Sequence, residues 1–208
     1  MTTLRYLAVL ALAVVLPGCE ALAQETASEP AWSFSASAYA YFVPDDDYVQ
    51  PTFTADHDRL HLEARSNYED LETGSLWAGY NFSVGKKVTF EGTAMLGGVF
   101  GATVGIASAY KASLSWTKLE FYSEGEYLFD TNESSDSFFY AWSELTFAPA
   151  DWFRFGLVGQ RTKVYETDRE IQRGLLVGFS SKRVDFTTYV FNPDDSSPTA
   201  VLALGVNF

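Results

Sequence analysis

The stretch Leu119–Phe129, LEFYSEGEYLF, decides the fold. Taken in twos, Leu119, Phe121, Ser123, Gly125, Tyr127 and Phe129 fall on one side. Glu120, Tyr122, Glu124, Glu126 and Leu128 fall on the other. Successive side chains of a strand point to opposite faces, so one face is aromatic or small and the other carries three carboxylates. A soluble sheet with its carboxylates in water has this pattern. So does a membrane barrel with the aromatic face in lipid and the carboxylates in the lumen. The rest of the chain separates the two.

The chain has 208 residues, 16% aromatic and 20% charged, which is the composition of one folded domain with a large apolar surface to bury. Its 27 acids against 14 bases give a net charge of -13, which disfavours a nucleic-acid partner, because a phosphate backbone selects a basic surface. Cys19 is the one cysteine, so no intrachain disulfide forms.

The N-terminus reads as an export signal. Arg5 precedes the apolar run Tyr6–Leu16, which is too short to span a bilayer, and Pro17-Gly18 end it. Ala21-Leu22-Ala23 offers a cleavage site after residue 23. Leu16-Pro17-Gly18-Cys19 resembles the lipobox of bacterial lipoproteins, in which the cysteine is acylated, and this alternative ends the signal before Cys19. Residues 24–31 form a short polar tail, and 32–208 form the folded unit. No later run reaches about 18 apolar residues, so a membrane protein made from this chain is a closed barrel.

From Trp32 onward, period-2 stretches alternate with turn-like clusters and no helical periodicity intervenes. The strands fall at about 32–43, 48–56, 58–68, 74–84, 87–98, 105–116, 119–130, 137–148, 152–165, 169–180, 183–192 and 198–208. That predicts an all-β, antiparallel, up-and-down transmembrane barrel of twelve strands. The second strand contains Pro51, which cannot donate to a ladder, and without it the even count is ten. Connections alternate between short ones, such as Thr117–Lys118 and Pro149–Asp151, and longer acidic ones, such as Pro44–Asp47 and Asp130–Asp136. Outer-membrane barrels have short periplasmic turns and longer external loops, and twelve strands place every connection on its proper side.

The faces agree. Phe34/Ala36/Ala38/Ala40/Phe42, Tyr110/Ala112/Leu114/Trp116 and Ala200/Leu202/Leu204/Val206/Phe208 carry aromatics at or near strand ends and small or aliphatic residues between, as two aromatic girdles require. The last strand, TAVLALGVNF, ends on Phe208. It resembles the terminal strand of bacterial outer-membrane β-barrel proteins, which the barrel-insertion machinery recognises. This class-level likeness covers the export signal and residues 32–208. It implies location in the outer membrane of a Gram-negative-type envelope, with membrane lipid and lipopolysaccharide as partners. The soluble alternative is a sandwich or lipocalin-like barrel with the aromatic face as its core.

On the barrel reading, parity places Arg59, His61, Glu63, Arg65, Glu91, Lys111, Glu120, Glu124, Glu126, Glu144, Arg154 and Asp185 on the lumen wall, with Tyr122, Tyr140, Trp142 and Tyr189. A two-residue turn at Thr117-Lys118 sets Lys111 opposite Glu124. A three-residue turn at Pro149–Asp151 sets Thr146 opposite Arg154. Two functions fit this wall. One is a narrow porin-like channel for small solutes with a weak cation bias. The other is a structural or surface-interaction barrel whose paired charges fill the lumen.

Arg161, Lys163, Arg169 and Arg173 fall on the lipid side. A loop that closes with residues 165 and 169 opposed puts 161 across from 173. Arg161 lies eight residues beyond Phe153, which at about 2.5–3 Å per tilted residue is near the top of a ~25 Å apolar band. Cations there suit the phosphates of lipopolysaccharide. The acidic runs Asp45-Asp46-Asp47 and Asp194-Asp195 lack calcium-loop spacing and read as solvated loops. No nucleophile elbow is present. Ser108-Ala109-Tyr110-Lys111 matches S-x-x-K only as a strand fragment, and His57 and His61 would stand about 13 Å apart across a turn and strand. An outer-membrane lipid-acting enzyme is a third alternative, for which these residues supply no nucleophile-base pair, and the expectation is a non-enzymatic barrel without metal or cofactor.

Overall fold

The computed structural model describes residues 31–43, 47–164, 170–196 and 198–208. Twelve strands form a closed antiparallel barrel: β1 (Ser33–Phe42), β2 (Tyr48–His57), β3 (Leu60–Ser66), β4 (Thr73–Gly85), β5 (Val88–Gly101), β6 (Gly105–Trp116), β7 (Leu119–Asp130), β8 (Phe138–Ala150), β9 (Phe153–Val164), β10 (Glu170–Ser181), β11 (Val184–Phe191) and β12 (Thr199–Asn207). Each strand pairs with its sequence neighbours, and β1 closes on β12 from Ser35↔Asn207 to Phe42↔Ala200. Closure removes both sheet edges, so every strand has a ladder on each side.

The ten-strand alternative is not needed. β2 is a full member, with Pro51 opposite Ala38 of β1. The β2–β3 ladder begins at Thr52, one residue past Pro51, so the missing donor costs no bond on that side.

All five short connections are two residues long: Asp58-Arg59, Lys86-Lys87, Thr117-Lys118, Asp151-Trp152 and Lys182-Arg183. The expected three-residue turn at Pro149–Asp151 is therefore corrected. A bulge between Phe147 and Ala150 absorbs the extra residue, and Thr146 stands opposite Gly156 rather than Arg154. The start of β1 and the end of β12 meet at this end, where the Phe208 N–H donates to the Phe34 carbonyl at 2.9 Å.

Every strand presents large exposed apolar side chains on the outer face. Leu96 is 70% exposed and Leu145 48%, whereas the inward Leu128 and Phe191 are fully buried. A soluble barrel would hide its apolar side chains and expose its charges. This one does the reverse, which excludes the soluble alternative. An aromatic girdle near the short turns includes Trp152, stacked on Phe179 at 6.3 Å, and Phe153, 5.5 Å from the same ring. A second set, Phe100, Tyr127 and Phe129, stands exposed at the opposite end.

The export signal, its alternative acylation at Cys19, Asp45, Asp46 and Arg169 lie outside the described residues.

Candidate functional site

The lumen is filled from its wall. On one side, β3 carries three consecutive inward residues, His61, Glu63 and Arg65, all buried. Glu63 accepts from Arg65 Nε and Lys111 Nζ, and its Oε2 lies 3.0 Å from His61 Nε2. His61 Nδ1 lies 2.7 Å from Asp56 Oδ1, its directly opposed partner on β2. Asp56 also accepts from Asn81, and Asn81 from Thr93. The strand pleat sends every second residue inward, so adjacent strands stack these groups within hydrogen-bond reach.

Arg65 is the hub. Its guanidinium lies between the rings of Tyr68 and Trp77, 4.2 and 4.5 Å from their centroids, and Nη1 donates to Glu126 Oε2 at 2.8 Å. Trp77 lies flat on Gly97 of β5. A Cβ on Gly97 would meet the indole at 2.4 Å, so glycine is what lets the ring lie against the wall.

Tyr68 and Glu69 come from the connection between β3 and β4. Asn67 there has φ 54° and its Oδ1 accepts from the Glu72 N–H, which closes a tight loop. The turn folds the two residues into the lumen. Tyr68 Oη donates to Glu124 Oε1 at 2.7 Å, and Tyr122 Oη donates to Glu124 Oε2 at 2.6 Å. Ser75 Oγ donates to Glu69 Oε1 at 2.5 Å. The second oxygens, Glu69 Oε2 and Glu126 Oε1, are buried and have no hydrogen-bond partner among the described residues.

The facing wall is aromatic. Tyr39, Trp142, Tyr189 and Phe191 pack edge-to-face or stacked, and Glu144 Oε1 accepts from Trp142 Nε1 at 2.8 Å and Tyr189 Oη at 2.9 Å. Toward the short-turn end, Arg154 reaches across β10 to Asp185 at 2.8 Å and Thr187 at 2.6 Å. Gly178 of β10 lies beneath that arm, where a Cβ would come within 2.8 Å of Arg154 Nε.

Three cavities lie in series. One of about 140 Å³ on the loop side is lined by Tyr48, Glu69, Glu126, Gln160 and others. One of about 100 Å³ follows, lined by Glu63, Arg65, Lys111 and Glu124 among others. Both share Tyr41, Gln50, Tyr68 and Tyr140, which form the constriction between them. A cavity of about 670 Å³ at the short-turn end shares Lys111 and Tyr122 with the second.

Most residues assigned inward by parity contribute to this interior. Lys111 does stand opposite Glu124 in register, but its ammonium goes to Glu63. Glu91 and Glu120 lie near the exposed short-turn end, where Glu120 accepts from Ser115. Arg59 lines the mouth of the 670 Å³ cavity rather than the buried wall. It sits in the β2–β3 turn, and its guanidinium bonds the hydroxyl of the exposed, outer-face Tyr80 with its Cζ 5.6 Å from the ring centroid. Its strand parity ends at the turn, which lets the guanidinium reach the outer-face Tyr80 from the rim of the cavity. Asp56, Glu69 and Asp130 join the interior, so the wall and its short-turn rim carry Asp56, Glu63, Glu69, Glu91, Glu120, Glu124, Glu126, Asp130, Glu144 and Asp185 against Arg59, Arg65, Lys111 and Arg154.

On the outer face, the register of β9 and β10 differs from the expected one by two residues. Arg161 opposes Ile171, and Arg173 opposes Gly159. Arg173 pairs with Asp194 at 2.7 Å, and the hydrogen bond from Arg173 holds the Asp194 carboxyl below its usual range. Arg161 lies 5.5 Å from the Phe139 ring centroid. The Lys163 side chain lies outside the described residues. His57 packs on Trp32 at 4.9 Å and takes no part in the His61 cluster.

No protein family and no curated sequence matches this chain. Solved structures do match in fold. The chain superposes on KdgM porin with a TM-score of 0.61 at 10% identity, over 84% of this chain and 99% of that one. It superposes on KdgM porin in complex with disordered oligogalacturonate at 0.58 and 10%, over 85% and 99%. NanC porin in a rhombohedral crystal form gives 0.55 and 10%, over 84% and 98%. The fold is that of these outer-membrane porins, and the apolar exterior is the surface by which such a barrel sits in the bacterial outer membrane.

Proposed function

We propose that this barrel is a narrow, porin-like channel that passes small solutes across the outer membrane and favours cations. One observation carries the reading: three cavities adjoin one another along the lumen, the first two divided at Tyr41, Gln50, Tyr68 and Tyr140 and the second and third meeting at Lys111 and Tyr122. The excess of carboxylates on the wall supports the cation preference, because a low-dielectric passage lined by one sign of charge concentrates the opposite ion. One structural neighbour is described in complex with oligogalacturonate, an anionic sugar. The acidic wall here disfavours such a polyanion, so the solute class differs. The reading is of a channel rather than an enzyme. Phe208 at the end of the β12 segment is offered to the barrel-insertion machinery.

The buried Arg65–Glu63–Glu126 network favours a second reading, a non-conducting barrel sealed by its own side chains. Planar-bilayer conductance separates the two. Discrete steps with a reversal potential displaced toward the cation Nernst value support the channel. Silence from protein that shows heat-modifiable gel migration overturns it.

A further inference from the structure

The lipid-facing surface contains a shelf. Below it runs a row of large side chains: Phe121, Leu145, Leu157 and Leu175 are mutually opposed across β7–β10 and exposed. The next row toward the loops is Ser123, Ser143, Gly159 and Arg173. The row beyond is Gly125, Ala141, Arg161 and Ile171. Three of the four positions of the middle row are small, and Gly125 and Ala141 continue the depression into the next row, so the surface drops on the loop side of the bulky row. A groove of about 490 Å³ opens there, reaching Arg173, Pro193 and Asp194.

The shelf is also polar where an apolar band is expected. Tyr110 lies over Gly125, with its hydroxyl 3.2 Å from Ser123 Oγ, and Ser123 Oγ is 3.0 Å from Ser143 Oγ. Arg161 and Arg173 are diagonal neighbours on adjacent strands, about 7–8 Å apart at Cα, both exposed on the loop-side half. That spacing suits one phosphate held by two guanidiniums.

We propose that this shelf seats lipopolysaccharide, the phosphorylated glycolipid of the outer leaflet. A phosphate sits between Arg161 and Arg173, and an acyl chain lies in the groove over Leu145, Leu157 and Leu175. Charge complementarity selects this occupant over a second copy of the barrel, which would bring the same two arginines to an isologous contact. Asp194 competes for Arg173 and is displaced or reoriented on binding. The proposal is independent of whether the lumen conducts.

The test is retention of lipid by refolded barrel in mild detergent, read by native mass spectrometry after incubation with lipopolysaccharide, its dephosphorylated form, or phosphatidylglycerol vesicles. Wild type is expected to retain lipopolysaccharide, with about a tenfold loss on dephosphorylation. Arg161→Ala with Arg173→Ala loses it to a similar extent. Gly159→Leu, which keeps both cations and fills the shelf, loses it too. Heat-modifiable migration of each variant confirms folding. Equal retention by the double variant, equal retention of phosphatidylglycerol, or a wild-type dimer that Gly159→Leu dissociates would each overturn the proposal.

Discussion

Arg65 of β3 donates from Nη1 to Glu126 Oε2 of β7 at 2.8 Å, spanning the lumen between strands that have three others between them. Both side chains are almost wholly removed from solvent, and the same guanidinium also bonds Glu63 and lies 3.9 Å from Glu69. One cation therefore serves three buried carboxylates, and the barrel wall is braced from inside by that residue.

Arg65→Met leaves Glu63, Glu69 and Glu126 short of their shared counter-charge. Breaking a buried pair from one side costs about 3–5 kcal/mol. Urea unfolding in micelles, followed by loss of heat-modifiable migration, should show a lowered midpoint of that order. A change under about 1 kcal/mol would mean that water already screens the cluster.

Tyr68→Ala removes the loop-borne ring that divides the two inner cavities and frees Glu124 from one of its two phenol donors. Single-channel conductance should rise severalfold over wild type, a rough figure for widening a constriction in a small barrel. Unchanged conductance in a folded variant would place the narrowest point elsewhere.

Glu124→Gln with Glu126→Gln removes two negative charges beside the constriction and keeps the side-chain volumes. The reversal potential across a salt gradient should move toward zero. If it stays where it is, ions do not pass these carboxylates.

Gly97→Ala pushes a methyl into the Trp77 indole, whose Nε1 donates to Ser75 at 2.9 Å and whose face carries Arg65. Overpacking of this kind costs about 1–3 kcal/mol. The near-ultraviolet circular dichroism of the indole should change together with the unfolding midpoint. Preserved signals would show that the wall yields without moving Trp77.

The architecture was legible in the chain because a strand's period of two writes its burial directly into the sequence. LEFYSEGEYLF sorts Phe121, Tyr127 and Phe129 from Glu120, Glu124 and Glu126, and the structure puts the first set outside and the second inside. Twelve such stretches with alternating connections leave one closed topology. Parity also predicts the direction of Glu63, Arg65 and Glu144, since it is a property of single strands. The partners of those groups depended on three-dimensional facts. Lys111 stands opposite Glu124 yet bonds Glu63, because a long side chain in a curved wall reaches across strands. Tyr68 and Glu69 enter the lumen because Asn67 takes a left-handed conformation, and the Arg59 guanidinium turns to Tyr80 at the rim because a two-residue turn ends strand parity. The bulge at Phe147–Ala150 and the β9–β10 register redirect Arg154 and Arg161 to neighbours that spacing did not predict. Which way a residue faces is local chemistry and is carried by the sequence. Which residue it meets is set by closure, shear and turn geometry, and only the folded barrel decides that.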